Sequence, residues 1–167
     1  MRWDRLFADL EGAADHAAKV EVETLASELS DELWADTGWR SLLGGVVVLD
    51  VRGVGHVTGE LAGIHDDLLR LRGSGGDRLI ATAAVTEIVS SQRRDDQPPS
   101  VRTSLGWGSA LRRLRDAGET VRVVTDSGTV VTGRVDAIGR DFVRVAVASG
   151  RRRVVVLDAL AVVAPGG

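Results

Sequence analysis

The chain repeats itself, and no other feature limits its fold so sharply. Sliding the sequence along itself sets Val57-Thr58-Gly59 on Val131-Thr132-Gly133, an offset of 74 residues. Over residues 57–71 there are six identities in fifteen positions without a gap, including Ile64/Ile138, Asp67/Asp141 and Arg70/Arg144. Four further pairs exchange one apolar residue for another: Leu61/Val135, Leu68/Phe142, Leu69/Val143 and Leu71/Val145. Beyond a variable hairpin the offset becomes 75, setting Leu79-Ile80 on Val154-Val155 and Ala84-Val85 on Ala159-Leu160. Such self-similarity marks one supersecondary unit used twice.

The repeated unit has β texture. Valines cluster and alternate over Val46–Arg52, His56–Ile64, Leu68–Arg72, Arg78–Ala83 and Val85–Val89, with Gly, Asp and Ser between the runs. Arg72-Gly73-Ser74-Gly75-Gly76-Asp77 has the composition of a hairpin loop. The polar stretch 90–104, which contains Pro98-Pro99, reads as a linker. A short helix follows over Leu105–Asp116, and Gly118 suits its C-terminal cap. Strand texture then resumes from Thr120 to Val163. Each copy thus has a helical lead-in and about five short strands. So few strands leave edges open unless the sheet curls until its ends meet. Gly59 and Gly133 suit the bend that curling needs, and Asp67 and Asp141 suit turn carboxylates.

Ahead of the duplication, residues 3–35 read as helix. Trp3, Leu6, Phe7, Leu10, Ala13, Ala14 and Ala17 follow one helical stripe; Val22, Leu25, Ala26, Leu29 and Leu33 continue it. Gly12 leaves open one helix or two. Residues 1–36 hold ten acidic against three basic side chains. Residues 1–97 hold 18 acidic against 10 basic, and residues 98–167 hold 6 against 11, so the net charge of −3 conceals an acidic front and a basic rear. The expected organisation is an acidic helical arm (1–36), a first β module (37–91), a linker (92–104), and a second β module with its lead-in helix (105–167).

A helix followed by five strands, with Thr58-Gly59-Glu60-Leu61 and Asp67-Leu68-Leu69-Arg70-Leu71 repeated as Thr132-Gly133-Arg134-Val135 and Asp141-Phe142-Val143-Arg144-Val145, resembles the Sm-like (LSm) barrel. The resemblance covers residues 37–91 and 105–164. It implies a mainly β fold of two tandem five-stranded SH3-like (Sm-like) small barrels, each with an N-terminal helix. The Asn and Arg-Gly elements of RNA-binding Sm proteins are missing, so the family's base-stacking pocket is not carried over to any residue. The opening Trp3-Asp4-Arg5-Leu6-Phe7-Ala8-Asp9-Leu10-Glu11 is similar to the start of an uncharacterised actinobacterial family.

Chemistry-bearing motifs are scarce. The chain has no cysteine, which excludes disulfides, thiolate metal sites and cysteine nucleophiles. His16, His56 and His65 lack metal-ligand spacing, and Gly73-Ser74-Gly75-Gly76 lacks the Gly-Lys-Ser/Thr ending of a phosphate loop. No nucleophile stands with a base, so the expectation is a non-enzymatic protein without cofactor or metal. An N-terminus carrying acids within its first turns is not a signal peptide, and no apolar run is long enough to span a bilayer, so no membrane role and a cytoplasmic location are expected. Arg134, Arg140, Arg144, Arg151, Arg152 and Arg153 form the candidate surface for an anionic ligand such as single-stranded RNA. Trp3, Leu6, Phe7, Leu10, Trp39 and Trp107 are the candidate interface residues; for Trp39 and Trp107 the favoured reading is a core plug at the open end of each barrel, with an exposed interface as the alternative. The leading expectation is protein–protein assembly or self-association, with RNA binding through the basic second module as the alternative.

Overall fold

Ala, Leu and Glu dominate the N-terminal segment, which contains no proline, and favourable propensity carries it into one helix, α1 (Arg2–Ala35). Gly12 does not interrupt it. Thr37 ends it: its hydroxyl donates to the Leu33 carbonyl at 2.6 Å, and its N–H donates to the Trp34 carbonyl at 3.1 Å. The computed structural model describes the backbone of residues 2–93 and 105–167, with side chains from residue 15 onward. The chain divides into two units, Met1–Trp39 and Arg40–Gly167. Among the described residues no helix is long and apolar enough to cross a membrane.

Among the described residues the second unit is built from ten strands, one α-helix and short 3-10 turns. The first half supplies β1 (Val46–Val51), β2 (Gly55–Ile64), β3 (Leu68–Gly73), β4 (Gly76–Ala81) and β5 (Val85–Ser91). The second supplies α2 (Trp107–Ala117), β6 (Thr120–Thr125), β7 (Val130–Ile138), β8 (Phe142–Ala146), β9 (Arg152–Val156) and β10 (Leu160–Pro165). Alternation of apolar and polar residues puts Val47, Leu49 and Val51 of β1, and Val131, Gly133 and Val135 of β7, on the buried side. Each fully buried Val or Leu contributes about 1.5–3 kcal/mol over its exposed state. α2 adds Trp107, Ala110 and Leu111 to the core, and ends at Gly118, whose left-handed backbone (φ 67°) lets its N–H reach the Arg115 carbonyl.

The strands form one continuous antiparallel sheet in the order β5-β1-β2-β3-β4-β10-β6-β7-β8-β9. This overturns the expected pair of Sm-like or SH3-like barrels. Each half repeats one strand order, but neither is a separate barrel. Closing a half would require its fourth strand to pair with its fifth. Instead, 3-10 turns at Thr82–Ala84 and Leu157–Ala159 lead β5 and β10 to the far side of β1 and β6. β4 then takes β10 as its neighbour, with Val162 opposite Ile80 and Val163 opposite Leu79. That seam satisfies in one step the two backbone edges that the sequence reading closed by curling. It leaves β5 and β9 as the outer edges.

The duplication extends to hydrogen bonds. The His65 N–H donates to the Leu68 carbonyl (2.8 Å) as that of Gly139 does to Phe142 (2.9 Å). The Thr82 N–H reaches Asp67 O (3.1 Å) as that of Leu157 reaches Asp141 O (2.8 Å). The repeated aspartates therefore serve through their carbonyls, each tying one loop to the next turn. Register slips at Leu61/Gly63 between β2 and β3, and at Val135/Ala137 between β7 and β8. The bend thus comes from a repeated bulge just beyond the glycines. Gly59 and Gly133 serve close approach: a Cβ at Gly133 would lie 2.2 Å from the Ala146 carbonyl oxygen, and one at Gly59 would lie 2.9 Å from that of Arg72. The linker expected over 92–104 lies outside the described residues from 94 onward.

Candidate functional site

The seam brings the same two loops of each half together. Asp66 and Asp67 precede β3, and Thr82 and Ala83 follow β4. Their counterparts Arg140 and Asp141 precede β8, and Leu157 and Asp158 follow β9. These loops and the start of α2 border a cleft of about 710 Å³. Its walls carry carboxylates (Asp66, Asp67, Asp141, Asp158) and two guanidinium groups (Arg112, Arg140). Trp107 forms one wall, buried to 5% exposure, with its indole N–H donating to the Asp67 carbonyl at 3.2 Å. The His65 ring contacts the Asp67 carboxylate. Among the described residues no three His, Asp or Glu side chains come together as metal ligands.

The six candidate arginines do not form one patch. Arg140 precedes β8, whereas Arg151 to Arg153 follow it, so the five residues of β8 hold the two groups roughly 17 Å apart. Arg144 and Arg152 are already engaged: their Nε atoms donate to the two oxygens of Asp136 at 2.8 and 3.1 Å. The hydrogen bond from Arg144, reinforced by Arg152, holds the Asp136 carboxyl below the usual carboxylate range against the opposing effect of partial burial. Arg134, Arg140, Arg151 and Arg153 are exposed, with their charges uncommitted to any carboxylate among the described residues.

Of the candidate interface residues, Trp3, Leu6, Phe7 and Leu10 have side chains outside the described residues. Trp39 is half-buried at the start of a 3-10 turn (Trp39–Leu42). Farther along α1, Val22, Leu25, Leu29, Leu33 and Trp34 are exposed, Leu33 by 73%.

The sequence reading missed both the seam cleft and the Asp136–Arg144–Arg152 cluster. One signal pointed to the seam. Leu160-Ala161-Val162-Val163 are four successive buried residues. Such a run belongs to a strand covered on both faces rather than to the edge of a small barrel. The sequence matches no protein-family model and no curated protein, so neither the Sm-like nor the actinobacterial resemblance gains support.

Proposed function

We propose that the protein is a non-enzymatic assembly module acting through protein–protein contacts. The observation that carries this reading is the exposed stripe Val22–Leu25–Leu29–Leu33 on the acidic helix α1. A run of branched aliphatic side chains at helical spacing is unfavourably exposed to water, and burying it against another apolar surface lowers the free energy. The two sheet edges left unpaired among the described residues, β5 and β9, offer further contacts. A cytoplasmic location belongs to the same proposal, since a chain without cysteine needs no oxidising compartment to fold. Light scattering of the wild-type chain against a Leu25→Gln, Leu29→Gln, Leu33→Gln variant tests the reading. The expected result is a mass above the monomer that drops in the variant. Two identical monomers at all concentrations would overturn it.

RNA binding is the second reading, supported by the four uncommitted arginines. Phosphate contacts make affinity fall steeply with salt. A labelled single-stranded oligonucleotide should bind at low salt, and replacing Arg151 and Arg153 by Ser should weaken that binding; no effect of the replacement removes this reading.

A further inference from the structure

The two outer edges of the sheet are copies of the two strands joined at its centre. β9 answers to β4: Val155 and Val154 lie opposite Val143 and Arg144, as Ile80 and Leu79 lie opposite Leu69 and Arg70. β5 answers to β10: Glu87 and Ile88 lie opposite Asp50 and Leu49, as Val162 and Val163 lie opposite Val124 and Val123. The seam pairs Ile80 with Val162 and Leu79 with Val163. Both of its partners therefore recur at the two ends of the sheet, each with its outer side unpaired among the described residues.

We infer that β9 of one copy pairs antiparallel with β5 of a second copy of this chain, in the register of the seam. Val155 then faces Glu87 of the other copy, and Val154 faces its Ile88. The inference rests on the assembly reading above and gives it a partner and a contact. An unpaired strand edge is a template for another strand. β9 also retains the apolar side chains of a seam strand. Val154 and Val156 are 60% and 52% exposed, whereas Leu79, the counterpart of Val154 at the seam and beneath α2, is 7% exposed.

Charge decides which edges meet. Two β9 strands laid together would bring Arg152 and Arg153 of one copy near those of the other, and like charges on facing strands repel. β5 offers Glu87 instead. In the inferred register Glu87 lies diagonal to Arg153 on the same face, within reach of a long side chain. The contact between copies thus combines an apolar pair with an ion pair, where the directly opposed residues of the internal seam are all apolar. It is accordingly the weaker of the two and responds to salt. It is also heterologous, using one β9 and one β5, so each copy keeps a free edge until a set of copies closes.

The absence of cysteine makes the register directly testable. Full-length Val154→Cys and full-length Ile88→Cys are prepared separately, mixed and oxidised gently. Directly opposed strand residues have Cα atoms about 4.5–5.5 Å apart, within disulfide range. The expected product is a mixed disulfide in excess of both homodisulfides. Its yield should fall when Arg153→Glu is added to the first chain and recover when Glu87→Arg is added to the second. No mixed disulfide, homodisulfides in equal or greater yield, or failure of the reversed pair to recover would overturn the inference. If the mixed disulfide fails while the wild-type chain still associates through the α1 stripe, the edge contact falls and the assembly reading stands. A chain that is monomeric at every concentration overturns both.

Discussion

The indole N–H of Trp107 donates a hydrogen bond to the backbone carbonyl of Asp67, 3.2 Å away, tying the start of α2 in the second half of the sheet to a loop of the first. The same carbonyl accepts the N–H of Thr82 at 3.1 Å, so both of its lone pairs are occupied. Together with the β4–β10 seam, this bond makes the two halves of the duplication one folding unit.

Trp107 therefore stabilises residues from both halves. Trp107→Phe keeps most of the apolar contact and loses the bond, which should cost about 1 kcal/mol. Trp107→Ala also empties its buried site and should cost about 3–5 kcal/mol. Urea unfolding monitored by circular dichroism measures both. Amide hydrogen exchange should show β3 and β4 losing protection along with β6 and β10; loss confined to the second half would contradict the shared unit.

The two repeated glycines should differ in their response to a methyl group. At Gly133 the added Cβ would lie 2.2 Å from the Ala146 carbonyl oxygen, and backbone cannot swing aside as a flexible side chain does. At Gly59 the nearest backbone oxygen, of Arg72, is 2.9 Å away. Overpacking costs about 1–3 kcal/mol. Gly133→Ala should fall at or above the upper end and Gly59→Ala lower, as read from the two denaturation midpoints.

Asp136 gives the unit a term in its acid stability. Its carboxyl is held below its ordinary range chiefly by the Arg144 hydrogen bond. A depressed folded-state value means that the contribution is fully present above the unfolded carboxylate value of about 3.9 and is lost as pH falls through the folded one. Asp136→Asn should cost about 1 kcal/mol at neutral pH, discounted for the exposure of both arginines. The difference between variant and wild type should shrink below about pH 4. A constant difference from pH 7 to pH 3, in denaturant titrations, would show that the cluster does not titrate as described.

Much of the architecture was legible in the residues. α1 begins and ends within about one residue of the expected helix. The strands of the first half lie where valine alternation put them, and Gly118 caps α2 as expected. These features are local: helical spacing, period-two alternation and a left-handed glycine are set within a few residues. The candidate site was harder to read. Of six arginines that look like one basic surface along the chain, Arg140 stands at the opposite end of β8 from Arg151 to Arg153, and Arg144 and Arg152 share the one carboxylate of Asp136. That carboxylate lies on a neighbouring strand, and the pairing depends on register across β7, β8 and β9.

What the sequence determined by itself was the repeat: two copies of one strand order, with matching bulges and matching loop hydrogen bonds, follow from the 74- and 75-residue offsets. Only the tertiary structure decided how the copies meet. A strand's unpaired N–H and C=O groups are the same whatever its side chains, so the residues of β4 do not specify whether that edge closes on β5 or joins β10. The choice fell to non-local geometry, in which the 3-10 turns carry β5 and β10 away and the apolar run Leu160–Val163 makes β10, at the centre of the sheet, a strand buried on both faces.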